Sequence, residues 1–302
     1  IMKALQENAV KQRFKDNQIH NVDGLSSILT TYEKFLNMAT RSQGTRNGYR
    51  RAIRDLCIFT GSLPVSIESD HILDYLNFLR DNKNLSWQKV KWDVAGIKHY
   101  YRHIEHDEDM ALQIPYPKEQ KTLPRILSRE ELKYLFNSCF NNKHRVMFRL
   151  LYSAGLRRME LLNLKIDDIE TQDSKFRIRI NNGKGGKDRY TVLSKKVHKE
   201  LQDYYRQCYP QVYLFNGRQK GQPMSSEGLR HALNAAVKRS GIKKEVNLHI
   251  LRHCFASHAL EDGMSIKTLQ HLLGHSSINT TLIYVSDIPL RGAFSPLDNI
   301  DE

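Results

Sequence analysis

The strongest constraint on this chain is a break near its middle. Between residues 106 and 124 the apolar residues lose their periodicity, and Pro115, Pro117 and Pro124 surround the charged run Lys118-Glu119-Gln120-Lys121. Proline locks φ and lacks a backbone donor, so neither a helix nor an inner strand runs through such a stretch. One hydrophobic core therefore cannot span both sides, and 302 residues leave enough chain for a core on each. The expected organisation is an extension (1–23), a first domain (24–106), an extended linker (107–126), a second domain (127–286) and a tail (287–302).

Upstream of the break, Leu25, Ile28, Leu29, Tyr32, Phe35, Leu36 and Ala39 recur with a helical period of about 3.6 residues. A second helix is expected over 45–60, with Tyr49, Ile53 and Leu56 on one side and Arg46, Arg50, Arg51 and Arg54 around the other. Ile72, Tyr75, Leu76 and Leu79 mark a third, and Trp87, Val90, Val94, Ile97, Tyr101 and Ile104 a fourth. Downstream, Ser128 followed by Glu131 is a capping-box pattern that starts a new helix. Residues 176–180 alternate polar and apolar, 189–193 are β-prone, and a glycine-rich turn joins them, which predicts a β-hairpin among helices.

Forty-seven Lys and Arg against 33 Asp and Glu leave a formal charge of +14, which favours a polyanionic partner, nucleic acid before membrane. The chain has no apolar run long enough for a membrane span and no secretory pattern, so the expected location is the cytoplasm, on the nucleoid. Cys57, Cys139, Cys208 and Cys254 lack CxxC spacing, which argues against a zinc knuckle or a disulfide framework; reduced, buried thiols are expected. One arginine-rich helix by itself reads more readily as a solvated face than as a binding surface. An excess over the whole domain instead favours a clamp on duplex DNA, because each phosphate neutralised releases counterions.

Three segments could carry chemistry. In Tyr152-Ser153-Ala154-Gly155-Leu156-Arg157-Arg158-Met159-Glu160 an arginine follows a glycine break at a helix start, where guanidinium and helix N-terminus both favour phosphate, and Glu160 lies on the same face to hold it. Gly183-Lys184-Gly185-Gly186-Lys187-Asp188-Arg189 is no nucleotide-binding loop, since Asp188 stands where Ser or Thr is needed and a strand follows. Lys184 on this turn is either a solvated lysine or a proton donor reaching into a DNA groove. The third segment holds Leu248-His249-Ile250-Leu251-Arg252-His253, then Leu273-Gly274-His275, then Tyr284. Its histidine pairs at i,i+4 have zinc-compatible spacing, but the glutamate of a zinc-hydrolase helix is missing and Arg252 intervenes, so no metal is expected. Tyr284, among Leu282, Ile283 and Val285, reads by itself as a core residue.

In order and type these segments resemble the catalytic domain of the tyrosine recombinases, the phage-integrase and Xer-like class. The resemblance implies a mainly α fold with a small antiparallel β-sheet: a helical N-terminal DNA-clamp domain and a mixed α/β catalytic domain. It implies that Arg157, Arg252 and His275 surround the scissile phosphate, that Lys184 protonates the departing 5′ oxygen, that His249 assists proton transfer and that Tyr284 is the nucleophile. In-line displacement gathers charge on the non-bridging oxygens, which fixed cationic donors stabilise, and a phosphotyrosine divides one exchange into two transesterifications. The implied activity is site-specific recombination through a 3′-phosphotyrosyl intermediate and a Holliday junction, with no cofactor, ATP or metal. The implied partners are double-stranded DNA recombination sites, a homo-tetramer on DNA and accessory DNA-bending or directionality factors, with no membrane. Leu290, Phe294 and Leu297 of the tail are expected to dock on a neighbouring protomer, a free terminus being the alternative. A type IB topoisomerase-like relaxation activity, a non-catalytic DNA-binding regulator and a zinc-dependent nuclease are the competing readings.

Overall fold

In the computed structural model, which describes residues 22–39, 42–118, 126–171, 176–181, 188–219 and 221–285, the apolar stripes of the first half close on one another. Helix α1 (Leu25–Met38) buries Leu25, Leu29, Tyr32 and Leu36; α2 (Gln43–Thr60) buries Tyr49, Ile53 and Leu56. Both pack with α3 (Ser69–Asp81) and α4 (Trp87–Tyr100), which runs on as a π-helical turn, Tyr101–Glu105. Ser42 caps α2 by accepting a bond from the Thr45 amide, and Gly61 ends it in a left-handed turn.

The chain divides into two compact units, 1–121 and 122–302, each with its own core. The expected extended linker is corrected over its first part. Asp107 Oδ1 accepts from the Met110 amide at 2.8 Å and caps a short helix, α5 (Glu108–Gln113), which sends Ala111 and Ile114 into the first core. A helix of six residues is too short to show a period, so the prolines behind it dominated the pattern.

In the second unit Ser128 and Glu131 make the reciprocal bonds of the capping box at the start of α6 (Arg129–Asn137). The long α7 (Asn142–Ala154) follows, then the short α8 (Arg158–Leu162) and a three-stranded antiparallel sheet. The hairpin pairs β2 (Arg177–Ile180) with β3 (Arg189–Val192), Ile180 opposite Arg189. A further strand, β1 (Ile169–Glu170), adds to β2 and has only two residues, too few for any alternation to show. Helices α9 (Lys195–Cys208), α10 (Ser226–Ser240), α11 (Leu248–Glu261), α12 (Ile266–Leu273) and α13 (Asn279–Leu282) follow among the described residues. α11 lies against α7, so Leu251 and Cys254 share a core with Phe148, Leu151, Leu161 and Ile178.

Cys57, Cys139 and Cys254 are free thiols in buried positions, but Cys208 is exposed, which corrects the expectation of four buried thiols. It continues the α9 stripe of Val197, Leu201 and Tyr204, but sits on the last turn, beyond the core the others reach. Among the described residues no helix is long and apolar enough to cross a membrane.

Gly155 connects fold to site. It ends α7 at φ 61°, and a Cβ there would lie 2.4 Å from Phe255 Cδ1 and 2.9 Å from Leu273 Cδ2. Left-handed strain and this overlap together should cost about 2–4 kcal/mol in Gly155→Ala. Gly48, inside α2 with open space around it, should instead gain about 0.5–1 kcal/mol on replacement by alanine. Urea unfolding of the two variants beside the parent protein measures both signs.

Candidate active site

The turn at Gly155 places Arg157 at the N-cap of α8, where its amide and its guanidinium both reach Glu160: N to Oε2 at 2.8 Å and Nη1 to Oε1 at 2.7 Å. Arg189 arrives from β3, whose alternation turns Arg189 and Thr191 inward. Its guanidinium forks onto the same carboxylate, Nη1 to Oε1 and Nη2 to Oε2, each at 2.8 Å. Arg252, on α11 and only 1% exposed, brings Nη1 to 3.9 Å from Glu160 Oε2. One carboxylate thus organises three guanidinium groups from three separate segments.

These arginines also meet the C-terminal end of α12. Arg189 Nε donates to Leu272 O at 2.9 Å, Arg252 Nη2 to Leu273 O at 2.7 Å and Arg157 Nη2 to Gly274 O at 3.1 Å, while Arg252 Nη1 donates to Gly155 O at 2.6 Å. The last carbonyls of a helix lack intrahelical partners and carry partial negative charge, so they are natural seats for buried cations. Gly274 makes the approach possible: at φ 62°, a Cβ on it would come within 2.7 Å of Arg189 Cδ.

Three cations against one carboxylate leave two formal positive charges in excess, partly offset by helix carbonyls. The neighbouring groups respond. Burial alone would raise the Glu160 carboxyl, but the bonds from Arg189 and Arg157 outweigh it and hold the group at about 2. Burial, followed by repulsion from Arg157, pushes Arg252 down to about 10. Burial and then Arg252, Arg157 and Arg189 press His275 down to about 4, leaving a neutral imidazole at physiological pH. His249, in the first turn of α11, is lowered by its packing and then by Arg252 and Arg157.

His275 Nε2 lies 3.1 Å from Arg252 Nη2, and its Nδ1 lies 2.9 Å from Thr281 Oγ1. Tyr284 follows on the same segment, packed with Phe255, Ala256, Ala259, Leu269 and Leu273 and only 2% exposed. Its hydroxyl lies 2.8 Å from His253 Nδ1. The His253 ring is in edge contact with His249, centroids 4.5 Å apart. Burial, then His249 and Arg252, holds His253 at about 4. Burial raises the Tyr284 phenol, and Arg252 and Arg157 pull it the other way.

Arg157, Glu160, His249, Arg252, His275 and Tyr284 therefore collect around one end of α12 and the first turns of α11. Lys184 lies outside the described residues, as do Leu290, Phe294 and Leu297. Among the described residues no group of three or more His, Cys, Asp or Glu side chains is placed to hold a metal ion. In the first unit Arg51 Nη2 donates to the buried Asp93 at 3.0 Å, Arg54 pairs with Asp55, Arg50 Nε lies 3.3 Å from Glu33 and Arg46 bonds Gln43. The four arginines are thus engaged within the unit, and Arg51 helps hold α2 against α4.

A phage integrase family model matches residues 121–289, and one for the phage integrase N-terminal SAM-like domain matches residues 28–109. The chain belongs to the phage integrase family. It is a tyrosine-type site-specific recombinase. The recombinase is 33% identical to Tyrosine recombinase XerA of Pyrococcus furiosus over 266 residues, 86% of this chain and 89% of that one. A crystal structure of XerH site-specific recombinase bound to difH substrate, a pre-cleavage complex, matches at 25% identity and TM-score 0.63, over 79% of this chain and 75% of that one. A lambda integrase tetramer bound to a Holliday junction matches at 21% identity and TM-score 0.71, over 93% of this chain and 82% of that one.

Reading the sequence overlooked three residues in the recombinase site. Arg189 was signalled by strand alternation, which puts it on the inner face with Thr191. His253 stood in the third segment, as half of an i,i+4 histidine pair, with no role of its own, and Thr281 carried no signal.

Glu160 gives a test with a definite sign. A carboxyl held below its unfolded value adds stability that is present above the ordinary 4.5 and lost as pH falls through about 2. The difference is worth about 3 kcal/mol. Unfolding by urea in steps from neutral pH toward about pH 2 should show this loss in the parent recombinase and a much flatter acid limb in Glu160→Gln.

Proposed function

We propose that this recombinase cuts and rejoins double-stranded DNA by attack of the Tyr284 phenol on a backbone phosphate. The observation that carries the reading is the arginine cluster, with Arg189 and Arg252 buried and Arg157 half-buried, whose surplus positive charge lies beside a neutral imidazole and one segment away from a tyrosine hydroxyl. A phosphodiester supplies the missing negative charge, and its pentacoordinate transition state supplies more, so the fixed donors favour the transition state over the ground state.

In the first transesterification the Tyr284 O–H bond breaks, the proton passes toward His249, and the phenolic oxygen bonds to phosphorus as the P–O5′ bond opens. Lys184 donates its proton to the departing 5′ oxygen. A 5′ hydroxyl of the partner strand then reverses the sequence at the 3′-phosphotyrosine and restores a phosphodiester. Arg157, Arg252 and His275 hold the non-bridging oxygens throughout, and Glu160 holds the arginines. Because the phenol is buried on His253, it leaves that position before it attacks.

In this reading residues 24–106 clamp the duplex and 127–286 cut it. Four protomers act on paired sites through a Holliday junction; the complexes of XerH with difH and of the lambda integrase tetramer with a Holliday junction support this by analogy. Accessory DNA-bending or directionality factors would choose the direction, and no metal, ATP or cofactor takes part. Leu290, Phe294 and Leu297 contact the neighbouring protomer.

Nicked suicide duplexes drawn from the DNA flanking the gene test the chemistry. The parent protein should leave a covalent 3′ adduct that survives SDS and forms equally in excess EDTA, while Tyr284→Phe binds the same duplex and forms none. An adduct in Tyr284→Phe, or one that needs a divalent ion, overturns the reading. Deleting the chain after residue 286 should preserve DNA binding and lower tetramer assembly on DNA by at least about tenfold, read by native gel; unchanged assembly removes the tail contact.

A further inference from the structure

His275 is clasped between two side chains of different hydrogen-bonding capacity. Arg252 Nη2, at 3.1 Å from Nε2, can only donate. Nε2 must therefore present its lone pair, and in the neutral imidazole the proton is on Nδ1. That proton points at Thr281 Oγ1, 2.9 Å away and fully buried. In the structure His275 is thus an Nδ1–H tautomer with Thr281 as its acceptor.

This tautomer is the wrong one for binding a phosphate through Nε2. An anionic oxygen accepts and never donates, so Nε2 has to carry a proton once phosphate takes the place of the Arg252 contact. Either the proton moves from Nδ1 to Nε2, or the ring gains a second proton. A carbonyl or carboxylate beside Nδ1 would serve only states that keep a proton there, and would oppose the first route. A hydroxyl serves every state: it accepts from Nδ1–H in the present tautomer and in the imidazolium, and donates to Nδ1 when the proton is on Nε2.

We propose that Thr281 is a positioning residue that allows His275 to change from acceptor to donor when a phosphate enters the site. The inference rests on the reading of His275 as a phosphate ligand. Two further features support it. The His275 backbone is anchored at both ends by Gln270, N to the Gln270 carbonyl at 3.2 Å and O from Gln270 Nε2 at 3.1 Å, so Thr281 acts on the ring alone. The Thr281 carbonyl also accepts the Tyr284 amide at 3.1 Å. One residue thereby grips the phosphate-facing imidazole with its side chain and the nucleophile's segment with its backbone.

Thr281→Val keeps the shape and removes the hydroxyl; Thr281→Ser restores it. With the nicked duplexes above, Thr281→Val should bind DNA within about twofold of the parent and cleave about 10- to 100-fold more slowly in a single turnover, the usual range when the partner of a functional histidine is lost. Thr281→Ser should cleave within about threefold of the parent. Equal cleavage by Thr281→Val and parent overturns the proposal, and so does a Thr281→Ser as slow as Thr281→Val. Should Thr281→Val not fold, nitrogen-15 spectra of the parent decide the question. Without added anion His275 should show a protonated Nδ1 and a bare Nε2, and saturating inorganic vanadate should protonate Nε2; a bare Nε2 in the vanadate complex overturns the proposal. His275→Gln separates the two levels. Parent-like cleavage by His275→Gln refutes the phosphate-ligand reading itself, whereas slow cleavage with parent-like Thr281→Val refutes only the role of Thr281.

Discussion

The second unit depends on one carboxylate. Glu160 sits where α8, β3 and α11 converge, and without its charge three guanidinium groups would face one another in a site shielded from water. Burying a cation costs several kcal/mol unless it is paired and its donors are used. Here the donors are used twice over, by the two oxygens of Glu160 and by the end carbonyls of α7 and α12. The packing follows from this requirement. Gly155 and Gly274 occupy the two helix ends because the carbonyls must be brought close and no Cβ fits beside them.

The arrangement is under-neutralised by its residue types, and that is its chemical content. A carboxylate for each arginine would make a stable structural knot with nothing left for a ligand. One carboxylate for three leaves a field strong enough to press His275 and His253 to about 4 and Arg252 to about 10, with burial acting first in each case. The guanidinium groups themselves are held in fixed orientations by Glu160 and the helix carbonyls, so little of their reorganisation would oppose charge developing on a bound anion. Tyr284 also feels this field, since Arg252 and Arg157 work against the rise that burial causes in its phenol. Its phenol is neutral, buried among Phe255, Leu269 and Leu273, and engaged by His253.

How far the sequence revealed this differs from residue to residue. Helices α1 to α4, the capping box of α6 and the hairpin were legible because each repeats a local period over enough residues. α5 and β1 were not, because six and two residues give no period to read. The pairing of Arg157 with Glu160 was legible as an i,i+3 contact at a helix start. The union of Arg189 with Glu160 spans 29 positions, and that of His253 with Tyr284 spans 31, so only the fold brings them together. The charge pattern of α2 was legible but incomplete as a guide. It located Arg51 and Arg54 on the polar face, but not Asp93 on a different helix, which engages Arg51 inside the unit.

Tyr284 shows why composition and neighbourhood fail together at such a site. Its apolar neighbours describe its resting place correctly, since it does lie in a small core. What they cannot express is the polarity of one atom: a hydroxyl partnered by an imidazole at 2.8 Å. A buried phenol bonded to a neutral ring is stable and unreactive, because forming the phenolate there would need charge in a place that burial disfavours. The Arg252 and Arg157 guanidinium groups work the other way and favour its anion. The phenol's acidity is therefore set by a balance between burial, which raises its pKa, and the two nearby guanidinium charges, which lower it. The segment of Tyr284 is also joined to His275 through Thr281, whose hydroxyl meets the imidazole and whose carbonyl accepts the Tyr284 amide, so neither side chain is positioned independently of the other.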